Sequence, residues 1–379
     1  MKIAINCAFY QPKGGGIKEY IHNLLHQFSI LQSDNEFIVY VLQDQYDYAK
    51  KFLPQDLKIK KIPFNSGSLS NRIKRSLLEG RFWRREEQTE GFDLFHSPFF
   101  HAPRLRKTPV MLTVHDLRLY RFPQTYEFFR YQFLKKRVKD SIRKADHIIS
   151  ISDFTKEEIE NLIGVEPGKV TVVHEAINRE SFSDKGLKEP KDLPEELKKH
   201  RFLLSVGHME PRKNYDRLLD AYLKVKENPE LSDLQLVIVG RKDHSFKETV
   251  ERIEKSPGVH YLNFVDGETL LWLYKNADLF VFPSYYEGFG FPPLEAAALG
   301  TLSAVSNISS IPEVCGEGSL YFNPYDVEDM SRAIEKGLLD TTAIKEKKTK
   351  MEENLNRFSW KKNAEETLKV YSRFEKKGE

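Results

Sequence analysis

The chain has 379 residues, 40% hydrophobic and 30% charged, an ordinary composition for a globular protein. That length suits two domains, because single cores seldom grow past about 250–300 residues. No run approaches the ~20 apolar residues of a membrane span, and the opening MKIAINCAFY is too short for a signal-peptide core. Cys7 and Cys315 are the only cysteines, with no CxxC and no histidine cluster at metal spacing. A cytoplasmic, disulfide-free protein without a structural zinc site is therefore expected. Net charge is +3 but uneven: residues 1–180 hold 29 Lys and Arg against 22 Asp and Glu, and the remainder 30 against 34. The acidic second half and the lack of any nucleic-acid motif argue against DNA or RNA as partner.

Apolar runs alternate with helical patterns from end to end, which predicts parallel α/β sheets. The first strand, KIAINCAF, is followed by Gly14, Gly15 and Gly16 and then by a helix over 17–31. In that helix Ile17, Tyr20, Ile21, Leu24, Leu25, Phe28 and Leu31 share one face. Glycines there let a backbone approach a phosphate or sugar closely, although a plain loop has the same spacing. EFIVYVL, LKIKKIPF, FDLFHSP, PVMLTVH, DHIISIS and KVTVVH read as further strands. Between them, 72–85 (RIKRSLLEGRFWRR) and 128–144 (FFRYQFLKKRVKDSIRK) mix aromatics with cations. Such segments are either interfacial helices on an anionic membrane or solvated helices whose aromatics pack inward. His96 ends one strand, and His115 and Asp116 end another, where open α/β sheets bind ligands. A hydrogen-bonded structural histidine is the ordinary alternative.

Residues 181–199, polar and broken by Pro190 and Pro194, read as a linker. The pattern then restarts with RFLLSVG, QLVIVG, VHYLNFV, ADLFVFPS and TLSAVS. HMEPRKN follows the first of these, placing Arg212 and Lys213 at a strand-to-helix junction, with a helix from about Asn214. Phe264 and Val265 precede an expected helix cap at Asp266. The segment 283–299, PSYYEGFGFPPLEAAAL, carries the most information. Glu287 is expected in a loop with Gly288, Phe289 and Gly290. Proline favours a helix's first turn, so a helix starts near Pro292 or Pro293, holds Glu295 in that turn and stops at Gly300. Free backbone N–H groups of the loop and helix start, with two carboxylates, suit a sugar nucleotide. Taken singly, each of these features is commonly structural.

Taken together, the E-x7-E spacing, SVGHMEPRKN and TVHDL resemble the signatures of retaining family 4 glycosyltransferases, over nearly the whole chain. The resemblance implies an α/β GT-B fold, two Rossmann-like domains facing a central cleft. Residues 1–180 would form the acceptor side, 181–199 the linker and 200–357 the nucleotide-sugar side, with helix 358–374 packing back onto the first domain. It further implies that Arg212 and Lys213 bind the donor pyrophosphate and that Glu295 accepts from the ribose hydroxyls. Glu287 would contact the sugar ring, the amides near Phe289 and Gly290 its hydroxyls, and Phe264 and Val265 the base. Gly15 and Gly16 would lie against the donor phosphates. His115 would reach the transferred sugar, with His96 and Asp116 on the acceptor side. His208 stands where many relatives carry arginine, which removes a third phosphate contact. The family is described with a front-face mechanism and no metal. PRKN and TVHDL point to GDP-mannose as donor, with a UDP-hexose as the runner-up, and to a glycan or lipid-linked acceptor. The basic segments would bring the protein to the inner face of a membrane. A GT-B sugar-nucleotide epimerase and a non-catalytic sugar-nucleotide sensor are the two other classes. E-x7-E with PRKN argues against the first, and the full set of glutamates and cations against the second.

Overall fold

The computed structural model describes all residues except 13–14, 102, 104, 183–185, 242–245 and 376–379, so Gly14 of the expected glycine loop lies outside the described residues. The chain divides into one unit of Met1–Glu175 with Ser359–Glu379 and another of Ala176–Phe358. In the first, β1 (Lys2–Asn6), β2 (Glu36–Leu42), β3 (Lys58–Ile62), β4 (Leu94–Ser97), β5 (Val110–Val114), β6 (His147–Ser150) and β7 (Val170–Val172) form a parallel sheet in the order β3-β2-β1-β4-β5-β6-β7. Its central strands are covered on both faces and so read as continuous apolar runs. Six of the seven β2 residues are buried.

Helix α1 (Gly15–Leu31) starts earlier than the periodicity predicts, at Gly15 with φ +60°, a left-handed conformation that glycine adopts without steric penalty. It buries Tyr20, Ile21, Leu24, Leu25 and Phe28. Helices α2 (Leu69–Glu90) and α3 (Phe128–Lys144) carry the two basic segments. Trp83 of α2 is buried, whereas Phe128, Phe129 and Phe133 of α3 are 69%, 86% and 56% exposed. The last long helix (Trp360–Tyr371) packs on α1, with the Tyr371 ring 5.8 Å from that of Phe28.

That helix also corrects the reading of His96, which sits inside β4, fully buried, rather than at an acceptor site. Its Nδ1 is 2.7 Å from the Tyr371 hydroxyl and its Nε2 is 2.9 Å from the Thr113 hydroxyl. Burial, with a smaller push from His115, lowers its pKa to about 3. A neutral ring then accepts from one of these hydroxyls and donates to the other, joining the closing helix to β4 and β5.

The second unit holds β8 (Phe202–Val206), β9 (Gln235–Val239), β10 (Val259–Leu262), β11 (Leu279–Phe282), β12 (Ser303–Ser306) and β13 (Leu320–Phe322), parallel, in the order β10-β9-β8-β11-β12-β13. Strand β13 is not expected from the sequence; three residues are too few to display a period. Helices α4 (Tyr215–Val225), α5 (Gly267–Asn276) and α6 (Phe291–Ala298) lie between strands. The expected linker is corrected as well: Phe182, Leu187, Leu193 and Leu197 pack into this unit's core, so the described part of 181–199 belongs to it. Among the described residues no helix is long and apolar enough to cross a membrane.

Replacing Tyr371 by Phe would keep the ring and leave buried His96 Nδ1 without a partner. A loss of about 1–3 kcal/mol is expected, read as a lower urea midpoint; an unchanged midpoint would show that the bond carries no stability.

Candidate active site

The order of the second sheet reverses between β8 and β11: the chain steps outward to β9 from one and to β12 from the other. The loops leaving their carboxyl ends therefore diverge and open a crevice at the switch point. Glycines allow the tight packing there. A Cβ on Gly240 would lie 1.8 Å from the Gly207 carbonyl oxygen, and one on Gly207 would lie 2.9 Å from Cε of Lys213. Lys213 folds across this glycine floor, its Nζ 4.7 Å from the Phe282 ring centroid and 2.7 Å from Glu287 Oε1. Arg212 takes the other carboxylate oxygen at 2.6 Å, pairs with Glu210 at 2.8 Å and donates to the Tyr286 carbonyl at 3.0 Å.

Backbone and amide bonds lock the two loops together. The Tyr285 N–H donates to the Arg212 carbonyl at 2.7 Å, and Asn214 Nδ2 donates to the carbonyls of Pro283 (3.1 Å) and Pro324 (2.8 Å). Asn214 has φ +59°, a left-handed value asparagine tolerates better than most residues, and caps α4 where the PRKN motif predicts. Tyr215 then donates its hydroxyl to the Gly207 carbonyl at 2.8 Å.

Burial pushes the Glu287 carboxyl up, but Arg212 and then Lys213 outweigh it and leave its pKa at about 2. Burial also dominates at Lys213, lowering its pKa against the pull of Glu287. At Arg212 burial is outweighed by Glu287 and Glu210, and the guanidinium is held more firmly charged. Two cations thus face two carboxylates. Glu287, expected to face a sugar ring, is held by both cations. A buried carboxylate bound this way is an anchor, and Lys213 has N–H donors beyond the one Glu287 takes.

The helix start differs from expectation. Gly290, at φ +112°, caps α6, and Pro292 and Pro293 fill its second and third positions. Neither proline has an N–H, so Phe291 supplies the sole first-turn donor of α6. Glu295 is the fifth residue of α6 and lies beyond its first turn. Burial raises its pKa, and its Oε2 accepts from the Tyr274 hydroxyl at 2.7 Å. Ser310 Oγ lies 2.9 Å and 2.8 Å from the carbonyls of Glu287 and Phe289, fastening the glycine loop from below. Phe289 is buried with its ring 5.5 Å from that of Phe358, while buried Gly288 adjoins Glu287. Val265 packs into the core, Phe264 is 70% exposed beside Arg241, and Asp266 caps α5 by accepting from the Thr269 N–H. Sequence reasoning missed Glu210, Tyr274 and Ser310. Only Glu210, beside PRK, left a signal in the motif.

In the first unit, His115 has both ring nitrogens engaged: Nδ1 at 2.8 Å from Glu175 Oε1 and Nε2 at 3.0 Å from the Pro98 carbonyl. Both partners are acceptors, so the ring satisfies them only as an imidazolium. Burial lowers its pKa, and the Glu175 carboxylate more than reverses this, giving a net rise above the ordinary 6.5. His115 is thus a fixed cation rather than a free base, and Glu175, 2% exposed, is a partner the sequence did not reveal. Asp116 accepts from the Arg118 N–H at 3.1 Å, closing a local turn. Gly15 opens α1 and Gly16 follows it, both exposed. The structure brings Arg212, Lys213 and Glu287 together in the second unit, with Glu295 close enough to feel the charge of Lys213.

Replacing Glu287 by Ala would leave buried Lys213 and half-buried Arg212 short of a partner. About 3–5 kcal/mol of destabilisation is expected by chemical denaturation. Because its folded pKa is depressed to about 2, the stability Glu287 contributes is present above 4.5 and is lost as pH falls toward 2. For His115 the sign is opposite. Its folded pKa is raised, so its contribution is complete below 6.5 and declines as pH climbs through the higher folded value. NMR titration should place the pKa of this ring above the ordinary 6.5, and a value below it would refute the pairing.

The family model for glycosyl transferases group 1 matches residues 188–358, and that for glycosyltransferase family 4 matches residues 14–181. O-antigen chain mannosyltransferase B of Escherichia coli is 30% identical over 286 residues, 73% of this chain and 74% of its own length. O-antigen chain mannosyltransferase RfbU of Salmonella typhimurium is 31% identical over 61% of each chain. Among solved structures, Anabaena HepE in complex with UDP-glucose superposes with a TM-score of 0.70 over 98% of this chain and 100% of its own, at 14% identity. With two Rossmann-like units, each built on a parallel sheet, and matches along both, the chain belongs to the family 4 glycosyltransferases, enzymes of the GT-B fold.

Proposed function

We propose that this glycosyltransferase moves mannose from GDP-mannose, with retention, to a hydroxyl of a glycan or lipid-linked acceptor in polysaccharide or glycolipid synthesis. The observation that carries the proposal is the Arg212–Lys213–Glu287 cluster at the β8/β11 switch point. A donor diphosphate arriving there would share these cations with Glu287, and Glu295 would accept from the ribose. The mannosyl choice rests on the two mannosyltransferase relatives. HepE holding UDP-glucose keeps the UDP-hexose alternative in view.

The reaction follows from what the residues can and cannot do. Glu287 is claimed by two cations and is a poor nucleophile, which disfavours a covalent glycosyl-enzyme. In the front-face alternative the acceptor oxygen bonds to the anomeric carbon as the bond from that carbon to the phosphate oxygen breaks. The acceptor proton passes to the departing diphosphate. Negative charge grows on the leaving group, where Arg212 and Lys213 supply fixed positive charge. The protein's own cations fill the role a metal would play, so turnover is expected to be indifferent to chelators. The basic first half suits work at the inner face of a membrane.

Thermal unfolding against GDP, UDP, ADP, GDP-mannose and UDP-glucose tests the reading. A ligand at a hundred times its Kd adds about 2.7 kcal/mol and raises the midpoint. GDP and GDP-mannose are expected to raise it in the wild type, and Lys213→Ala to lose most of the shift. A shift confined to the uridine nucleotides would replace GDP-mannose by a UDP-hexose. No shift with any nucleotide would sink the donor site as drawn.

A further inference from the structure

Helices α2 and α3 of the first unit flank a groove of about 1070 Å³ that the donor reading does not use. Along α3, Phe129, Phe133, Lys136, Asp140 and Lys144 recur at three- and four-residue steps and so share one face. That face changes character along its length. It opens with Phe129 and Phe133, 86% and 56% exposed, and continues into Lys136 and Lys144. Across the groove, α2 contributes Arg84, and Gly80 leaves its wall without a side chain. The loop before β5 adds Arg106 and Lys107.

The charges in this groove are not balanced. Arg84, Arg106, Lys107, Lys136 and Lys144 make no ion pair among the described residues. Of the carboxylates lining it, Glu79 is taken by His101 and Arg137, both at 2.6 Å, and Asp146 accepts from the Val110 N–H at 2.7 Å. That leaves Asp140 and Asp146 against five cations. A concave wall with this surplus suits an anion such as a phosphate, and the exposed phenylalanines beside it suit an apolar chain.

We propose that the α2/α3 groove binds the phosphate or diphosphate of a single lipid-linked molecule, with its chain lying on Phe129 and Phe133. In the proposed function that molecule is the acceptor, so the inference rests on that reading. Concavity favours one inserted headgroup over a flat bilayer surface.

Calorimetric titration of the whole protein with farnesyl diphosphate tests this, with inorganic diphosphate and phosphatidylcholine vesicles, with or without phosphatidylglycerol, as comparisons. Saturable binding is expected, weakened about tenfold or more both by Lys136→Glu with Lys144→Glu and by Phe129→Ser with Phe133→Ser. It should persist in Lys213→Ala, which separates it from the donor site. These side chains are exposed, and an unchanged GDP thermal shift in the variants would confirm that they remain folded. If GDP gives no shift in any protein while farnesyl diphosphate still binds, the donor assignment fails and the groove stands. Three outcomes overturn the proposal. They are binding indifferent to both double variants, inorganic diphosphate binding as tightly as the lipid, and association only with phosphatidylglycerol vesicles, which would make the face a bilayer contact.

Discussion

Glu287 and the two cations that hold it impose the main constraint on the second unit. Removing an ion from water costs several kcal/mol, so buried Lys213 and Glu287, with half-buried Arg212, persist only where geometry and hydrogen bonding repay that penalty. Here both carboxylate oxygens are engaged, at 2.6 and 2.7 Å. The requirement propagates outward. Lys213 reaches Glu287 by lying across Gly207, and β9 can approach that turn because Gly240 has no side chain. Asn214 must adopt a left-handed conformation to start α4, while its amide ties the β8 loop to Pro283 and Pro324. Ser310 then holds the carbonyls of the glycine loop so that Glu287 stays in reach.

Two histidines of the first unit show how partner chemistry decides protonation. His96 and His115 are both enclosed, and burial disfavours the charged ring in each. His96 meets two hydroxyls, which can donate or accept, so a neutral ring satisfies both. His115 meets a carboxylate and a carbonyl, which can only accept, so both of its nitrogens must carry protons. The first becomes an uncharged tie between the sheet and the closing helix. The second becomes a fixed positive charge at the carboxyl end of β5.

What the sequence disclosed was local, and what it hid was contact across the fold. Runs such as EFIVYVL and QLVIVG declare buried parallel strands, because a strand covered on both faces has no polar alternation to show. PRKN and E-x7-E mark Arg212, Lys213 and Glu287, since each lies in a short segment with a rigid turn. That Glu287 binds the two cations depends on two loops 74 residues apart meeting at the switch point. Tyr274 and Glu175 were hidden for the same reason: each acts on a distant residue through one hydrogen bond. The position of Glu295 was misjudged because the helix begins at Phe291, just before the two prolines. The linker was misread because its four apolar residues are diluted by charge, although they pack into a core.

A resting site that balances its own charges also bears on how the enzyme would handle its substrate. Unpaired, Arg212 and Lys213 would repel each other and strain the loops that carry them. With Glu287 between them they are held in place before any ligand arrives, so little reorganisation remains when a diphosphate binds. The anion must then compete with an internal carboxylate, which moderates affinity for the nucleoside diphosphate left after transfer. Weaker product binding favours release, and the stronger field is felt only as charge builds on the leaving group. The same carboxylate would thus serve stability in the empty protein and turnover in the working one. It also follows that Glu287 has little freedom to act as a nucleophile, because leaving its cations would expose the whole cluster to the desolvation penalty it now offsets.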